Sequence, residues 1–294
     1  MQRHHHAMPF LAVAAGIASF SVMDALMKSA SLSLGAYNAM LWRSLVGIVL
    51  IAPLWKLKGG HWPKGAIMRL HAQRGLNSAV MATSFFWGLK YLPLAEGMAI
   101  SFIAPLIALY LAAALLGETI GRTALLASAL GLAGVLVIAA ARLGRGEYDP
   151  KVAWGIVAIL FSALTYAWNL ILQRRQAQLA SPLEVAMFQA FFTSLFLLVA
   201  APWLATVPQG SAWAEIGGSS VLAAISLMLI SWGYGREETQ VLLPLEYSAF
   251  IWAALLGWLV FGEGLTAPTV AGAVLIVAGC LLAAPRKHIE QTAL

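Results

Sequence analysis

Four ionisable side chains, Asp24, Arg43, Arg74 and Glu246, stand inside otherwise apolar runs. Lys28, Lys90 and Glu96 stand near the ends of such runs. In hydrocarbon a charge costs several kcal/mol unless it is paired, hydrated or held by polar neighbours, so each is a binding-site candidate first. Asp24 and Arg43 each fall about six or seven residues from the near end of adjacent runs, which puts both roughly 10 Å deep. The short connection between the runs makes them neighbours, and an Asp24–Arg43 ion pair is expected. Such a pair either neutralises two buried charges or presents Arg43 to a substrate carboxylate. Glu246 stands beside Tyr247 and two residues after Pro244, a residue type that frees a backbone carbonyl and kinks a span. A carboxylate there suits a substrate ammonium or a coupling proton; the alternative is pairing with Arg74 or capping a helix end.

Asn77, Ser84, Tyr166, Trp168, Asn169 and Gln189 add amide, hydroxyl and ring groups to other apolar runs. Tyr166 and Asn169, three apart, share one helix face. Groups of this kind hold the two ends of a zwitterion, while Trp42 and Trp168 receive its side chain or a cation. Taken singly, each also serves as an interhelical hydrogen bond or as packing. The expected substrate-binding set is Asp24, Trp42, Arg43, Asn77, Tyr166, Trp168, Asn169, Gln189, Glu246 and Tyr247.

The same inventory argues against catalysis. An intramembrane enzyme needs a nucleophile with a histidine, paired aspartates or a metal cluster. His4, His5, His6, His61, His71 and His288 fall in loops or near helix ends, and Asp24 and Asp149 have nothing to pair them. The single cysteine, Cys280, lies in an apolar run, so neither a disulfide framework nor a cysteine metal site is available. No metal, no cofactor and no phosphate-binding Gly-rich loop of the nucleotide-driven type is expected.

The elements that must position these groups follow from composition. Of 294 residues 61% are hydrophobic and 10% charged, far from the soluble norm of about half apolar and a quarter charged. Lipid is the solvent that tolerates this, because helices there are apolar outside as well as inside. Ten runs reach the roughly 20 residues needed to cross: 9–30, 36–56, 67–89, 94–116, 121–141, 151–173, 183–204, 214–234, 239–261 and 267–285. Pro9, Pro93, Pro150 and Pro182 stand at helix starts, and Ser181-Pro182-Leu183-Glu184 reads as a capping box. Pro105 predicts a break in the fourth run. The N-terminal Met1 to His6 reads as an uncleaved segment, since no small-residue cleavage site follows it.

With the N-terminus inside, eleven Lys and Arg residues face the cytoplasm and five face out, which favours both termini cytoplasmic in an inner, plasma-type membrane. The net charge of +6 is explained by that bias, so nucleic acid is not an expected partner. Most tryptophans fall near run ends, as interface anchors.

Shifting the chain by 145 residues aligns Trp87-Gly88 with Trp232-Gly233, Gly117-Glu118 with Gly262-Glu263 and Gly134 with Gly279. The expected organisation is two five-helix repeats, 1–145 and 146–294, in an all-α integral membrane protein. Five crossings per copy force the second copy to enter from the opposite side, an inverted repeat with a site between the halves. The Gly-Glu pairs read as turns that place a carboxylate at the N-terminus of the next helix.

These residues resemble a family. Trp87-Gly88-Leu89-Lys90-Tyr91-Leu92-Pro93-Leu94-Ala95, running through Pro105 to Leu116-Gly117-Glu118, is one of two stretches that carry the likeness. The other is Phe261-Gly262-Glu263 with the Gly272 and Gly279 helix. Both are similar to the ten-helix EamA-type branch of the drug/metabolite transporter superfamily. Arg236-Glu237-Glu238 replaces the small apolar turn found there in many members. The resemblance implies a central cavity and a secondary transporter exporting amino acids or related small metabolites. Size and tryptophan content make the chain most similar to aromatic amino-acid exporters. Proton coupling through Glu246 or Asp24, or facilitated diffusion, would drive it. The alternatives are a multidrug or organic-cation exporter, a channel and, more remotely, an intramembrane enzyme. The expected partners are a small-molecule substrate and the lipid bilayer.

Overall fold

The computed structural model describes residues 7–116, 122–144, 149–177, 179–234, 236, 242 and 245–283. The N-terminal histidines, Gly117-Glu118, Arg145, Glu237-Glu238, Pro244, Arg286 and Lys287 lie outside the described residues. The helices are α1 (Ala7–Leu34), α2 (Ala36–Leu57), α3 (Ala66–Gly88), α4 (Leu94–Ser101), α5 (Ala104–Leu116), α6 (Arg122–Leu143), α7 (Pro150–Ala177), α8 (Pro182–Leu198), α9 (Ala201–Leu204), α10 (Ala212–Tyr234), α11 (Ser248–Phe261) and α12 (Ala267–Ala283). Six stretches are long and apolar enough to cross a membrane: Met8–Leu34, Ala36–Leu57, Leu94–Leu111, Leu125–Leu143, Pro150–Gln173 and Ala212–Gly233. Helices α8, α11 and α12 are apolar and shorter.

Two expected spans are interrupted. The run at 94–116 is split into α4 and α5 at Phe102-Ile103, because Pro105 has no N–H for the Ser101 carbonyl and its ring clashes with it. The Ile103 and Leu106 N–H groups bond the carbonyls three residues back, Ile100 and Ile103, at 3.2 and 3.0 Å, which tightens the joint. The run at 183–204 becomes α8 and the single turn α9, with Pro202 in that turn. Ser181 caps α8 as its sequence implies, its hydroxyl accepting from the Glu184 N–H at 3.3 Å.

The outside of the bundle is apolar: Val49, Leu57, Val199, Trp203, Ile251 and Trp258 are exposed. The inside holds polar groups, with Asp24, Lys28, His71, Arg74, Glu96, Asn169 and Gln176 all buried. This inversion of the soluble pattern is what a lipid solvent selects. Packing runs across the sequence: α1 lies along α10, α3 along α7 and α8, α2 along α8, and α6 along α12.

Small residues let these backbones approach. A Cβ added at Gly134 on α6 would meet the Gly272 carbonyl and Ile276 of α12, and one at Gly279 on α12 would meet the Ala127 carbonyl of α6. Contacts of 134 with 272 and of 127 with 279 make the two helices antiparallel. Gly88 on α3 approaches Gly155 and Ile159 of α7, and Gly233 on α10 approaches Pro9 and Val13 of α1, in the same manner.

Candidate functional site

Tyr166 of α7 is 38% exposed, yet it lies within electrostatic reach of Asp24 on α1, Arg74 on α3 and Glu246 just before α11. A ring turned to lipid would not meet charges from three other elements, so its open side faces space within the bundle. Asp24 is buried and its Oδ2 carries no hydrogen bond. Asp24 and Arg43 of α2 attract each other, but the expected ion pair is not formed. Arg43 turns back along α2, Nη1 lying 3.8 Å from Met40 Sδ, and its side chain is only partly buried.

At the end of the bundle where α1 finishes, a second set of charges ties five elements together. Lys28 forms an ion pair with Glu263, donates to the Leu92 carbonyl at 2.8 Å and stands 5.0 Å from the Phe261 ring centre. Gly262 places Glu263 there. Its φ of 64° ends α11 in the left-handed region, where a glycine pays no Cβ penalty. Glu263 was expected to serve the helix that follows it. Its Oε2 instead accepts from the Leu94 N–H at 2.7 Å, so it caps α4, a helix from the other end of the sequence. Glu96 extends the set, bonded by Thr269 at 3.3 Å and 3.7 Å from Arg142 Nε.

At the opposite end, α3, α7 and α8 share a chain of hydrogen bonds. Arg74 donates to Gln176, and Nε donates to Asn169 Oδ1 at 3.3 Å. With its oxygen occupied, Gln176 donates through Nε2 to His71 Nδ1 at 2.6 Å. The His71 proton then sits on Nε2, directed at Glu184 Oε1 at 3.1 Å. His71, near the start of α3 as expected, is fully buried and stacks on Phe188. The sequence signal was present: His71 and Arg74 are three apart on one helix face.

Of the expected set, Asp24, Arg43, Tyr166, Asn169 and Glu246 come together around this interior. Asn77 lies beside them but is committed to the Thr165 carbonyl at 2.9 Å, which joins α3 to α7. Gln189 is partly buried on α8. Trp42 stands apart: its Nε1 donates to the Thr206 carbonyl at 2.8 Å and its ring meets Trp213 edge-on at 5.2 Å, so it anchors a connection. Trp168 is 39% exposed, two residues from Tyr166 and therefore on another face of α7. Tyr247 packs edge-on against Phe102 at 5.3 Å and hydrogen-bonds the Cys280 thiol. Arg74 was singled out as a charge in an apolar run but not placed in the expected set, and His71 and Gln176 are neighbours of it that the sequence reading did not connect to it.

Comparison with known proteins places this geometry. The profile of the EamA-like transporter family matches residues 7–140 and 153–284. A pseudopaline exporter of Pseudomonas aeruginosa is 26% identical over 267 residues, 90% of this chain and 91% of its own length. An S-adenosylmethionine uptake transporter of Rickettsia felis is 22% identical over 282 residues, 94% of each chain. These relatives do not single out aromatic amino acids as substrates. A solved crystal structure shares the fold with a TM-score of 0.62 at 20% identity, over 94% of this chain and 96% of the other. The chain is thus a multi-pass membrane transporter belonging to the EamA-like transporter family.

Proposed function

We propose that this transporter exports amino acids or related small zwitterionic metabolites across a bacterial inner membrane, by alternating access between two inverted five-helix halves, 1–145 and 146–294, with both termini cytoplasmic. The observation that carries this reading is the convergence of Asp24, Arg74 and Glu246 on Tyr166, which offers both signs of charge to one small molecule deep in the bundle. The halves are supported by register. The contact of Gly134 with Gly272 becomes that of Gly279 with Ala127 when 145 is added to one position and subtracted from the other, as a two-fold axis between α6 and α12 requires. Phe102 and Tyr247, also 145 apart, meet in one ring contact, and both sit at helix breaks of the kind that border transporter sites.

The charge set around Lys28 and Glu263 closes one end of the bundle, so alternating access requires it to part. Asp24 or Glu246 would carry a proton where transport is proton-coupled. A second reading, organic-cation export, is favoured by those two carboxylates beside the Tyr166 ring.

Counterflow in proteoliposomes tests these readings. Vesicles loaded with one unlabelled amino acid should transiently accumulate the labelled one, and Asp24→Asn should abolish this without loss of folded protein. Absence of saturable exchange with every amino acid would remove the substrate class. Exchange of organic cations alone would establish the second reading, and non-saturating flux without counterflow would indicate a channel. Exchange indifferent to a pH gradient would exclude proton coupling.

A further inference from the structure

Arg74 differs from Lys28 and Glu96, buried charges that have Glu263 and Arg142 beside them: among the described residues no carboxylate pairs with Arg74. Its guanidinium, on a side chain only 5% exposed, is held by three neutral amide oxygens along one face of α7. Nε donates to Asn169 at 3.3 Å, Nη2 to Gln173 at 3.4 Å and Nη1 to Gln176. A guanidinium has five N–H donors, so two remain. Amide dipoles orient the group without neutralising it, and a desolvated unit charge gains most from a carboxylate in fork geometry.

The surroundings supply the other pole. Tyr166, one turn of α7 before Asn169, lies within electrostatic reach of Arg74, and also of Asp24 and Glu246. Asp24 is 4% exposed and its Oδ2 has no hydrogen bond, so an unbonded acceptor is buried within electrostatic reach of the same ring. The Gln176–His71–Glu184 chain behind Arg74 orients the Gln176 amide that Arg74 donates to.

We propose that Arg74 receives the carboxylate of the transported molecule, whose ammonium points toward Asp24 and Glu246, so that the substrate binds with fixed polarity. This rests on the zwitterion reading above and specifies which protein group takes which end. A molecule with a carboxylate and no ammonium keeps the Arg74 contact; an ester with an ammonium loses it.

The test is competition against counterflow of labelled tryptophan, with methionine as a second labelled probe. Competitors are tryptophan, tryptophan methyl ester and indole-3-propionate. In the wild type the free acid should compete at least tenfold better than the ester, and indole-3-propionate should retain measurable competition. Arg74→Gln should erase the preference for acid over ester, and Arg74→Lys, which keeps charge but not the fork, should fall between. Equal competition by acid and ester in the wild type, or an unchanged preference in Arg74→Gln, would overturn the assignment while the zwitterion reading survives. If no labelled amino acid exchanges in the wild type, the zwitterion reading itself fails; if an amino acid other than these two exchanges, the same acid-against-ester comparison is made with it. The wild-type ligand series decides the matter even if Arg74→Gln does not fold.

Discussion

Breaking the Lys28–Glu263 pair tests whether it is a unit that locks one end of the bundle. The Lys28 side chain is 3% exposed and that of Glu263 19%. In Glu263→Gln the amide oxygen still accepts from the Leu94 N–H, so the cap on α4 survives and only the carboxylate charge is lost. Lys28 is then left buried with the Leu92 carbonyl and the Phe261 ring. Removing one partner from a buried pair costs about 3–5 kcal/mol, and the partial exposure of Glu263 puts this case near 3 kcal/mol. Lys28→Met leaves Glu263 with the Leu94 N–H and some water, for about 1–2 kcal/mol. The double variant Lys28→Met/Glu263→Gln removes both charges and should lie close to wild type, giving a coupling of about 4–5 kcal/mol. In detergent this reads as a Tm for Glu263→Gln about 6–12 °C below wild type, by the scaling of soluble domains. The double variant should recover most of that loss. The double variant should also exchange substrate with the locked end more often open, seen as faster labelling of a cysteine introduced at Ala95. Additive losses in the double variant would refute the pairing, and unchanged labelling would refute the lock.

Two further perturbations probe the frame. Gly134→Ala forces a Cβ against the Gly272 carbonyl and within 2.7 Å of Ile276 Cγ1, and overpacking of this kind should cost about 1–3 kcal/mol; a Tm equal to wild type would show that α6 and α12 do not lie in this register. His71→Ala removes the link between Gln176 and Glu184 and should destabilise by about 1–3 kcal/mol through unsatisfied buried groups. It should also weaken substrate affinity by loosening Arg74, measured as a raised half-saturating concentration in counterflow; an unchanged value would separate the chain from the site.

Much of the fold was legible because lipid leaves few choices. A run of apolar residues long enough to cross must be helical, since its backbone groups have no water to turn to. Spans, the capped start of α8 and the break before Pro105 were therefore readable one residue at a time. Gly134 and Gly279 could be paired by a fixed offset of 145, since both are glycines. The candidate site was half legible. A charge inside an apolar run marks itself, and that single property found Asp24, Arg43, Arg74 and Glu246.

What sequence alone could not decide was pairing, because partners in a helical bundle depend on how each helix is rotated and which neighbour it meets. Asp24 and Arg43 stand on consecutive helices and were expected to bridge; Arg43 turns to Met40 Sδ instead. Glu263 lies 169 residues from Leu94 along the chain, and that backbone amide became its acceptor's partner. Trp42 reads as free from its depth and is spent on Thr206. His71 reads as marginal from its position near a helix start, yet α7 and α8 close over it. The sequence by itself determined that this chain crosses a membrane with a few costly charges inside. Only the tertiary structure decided which of those charges pair with one another, because pairing depends on which helix faces meet.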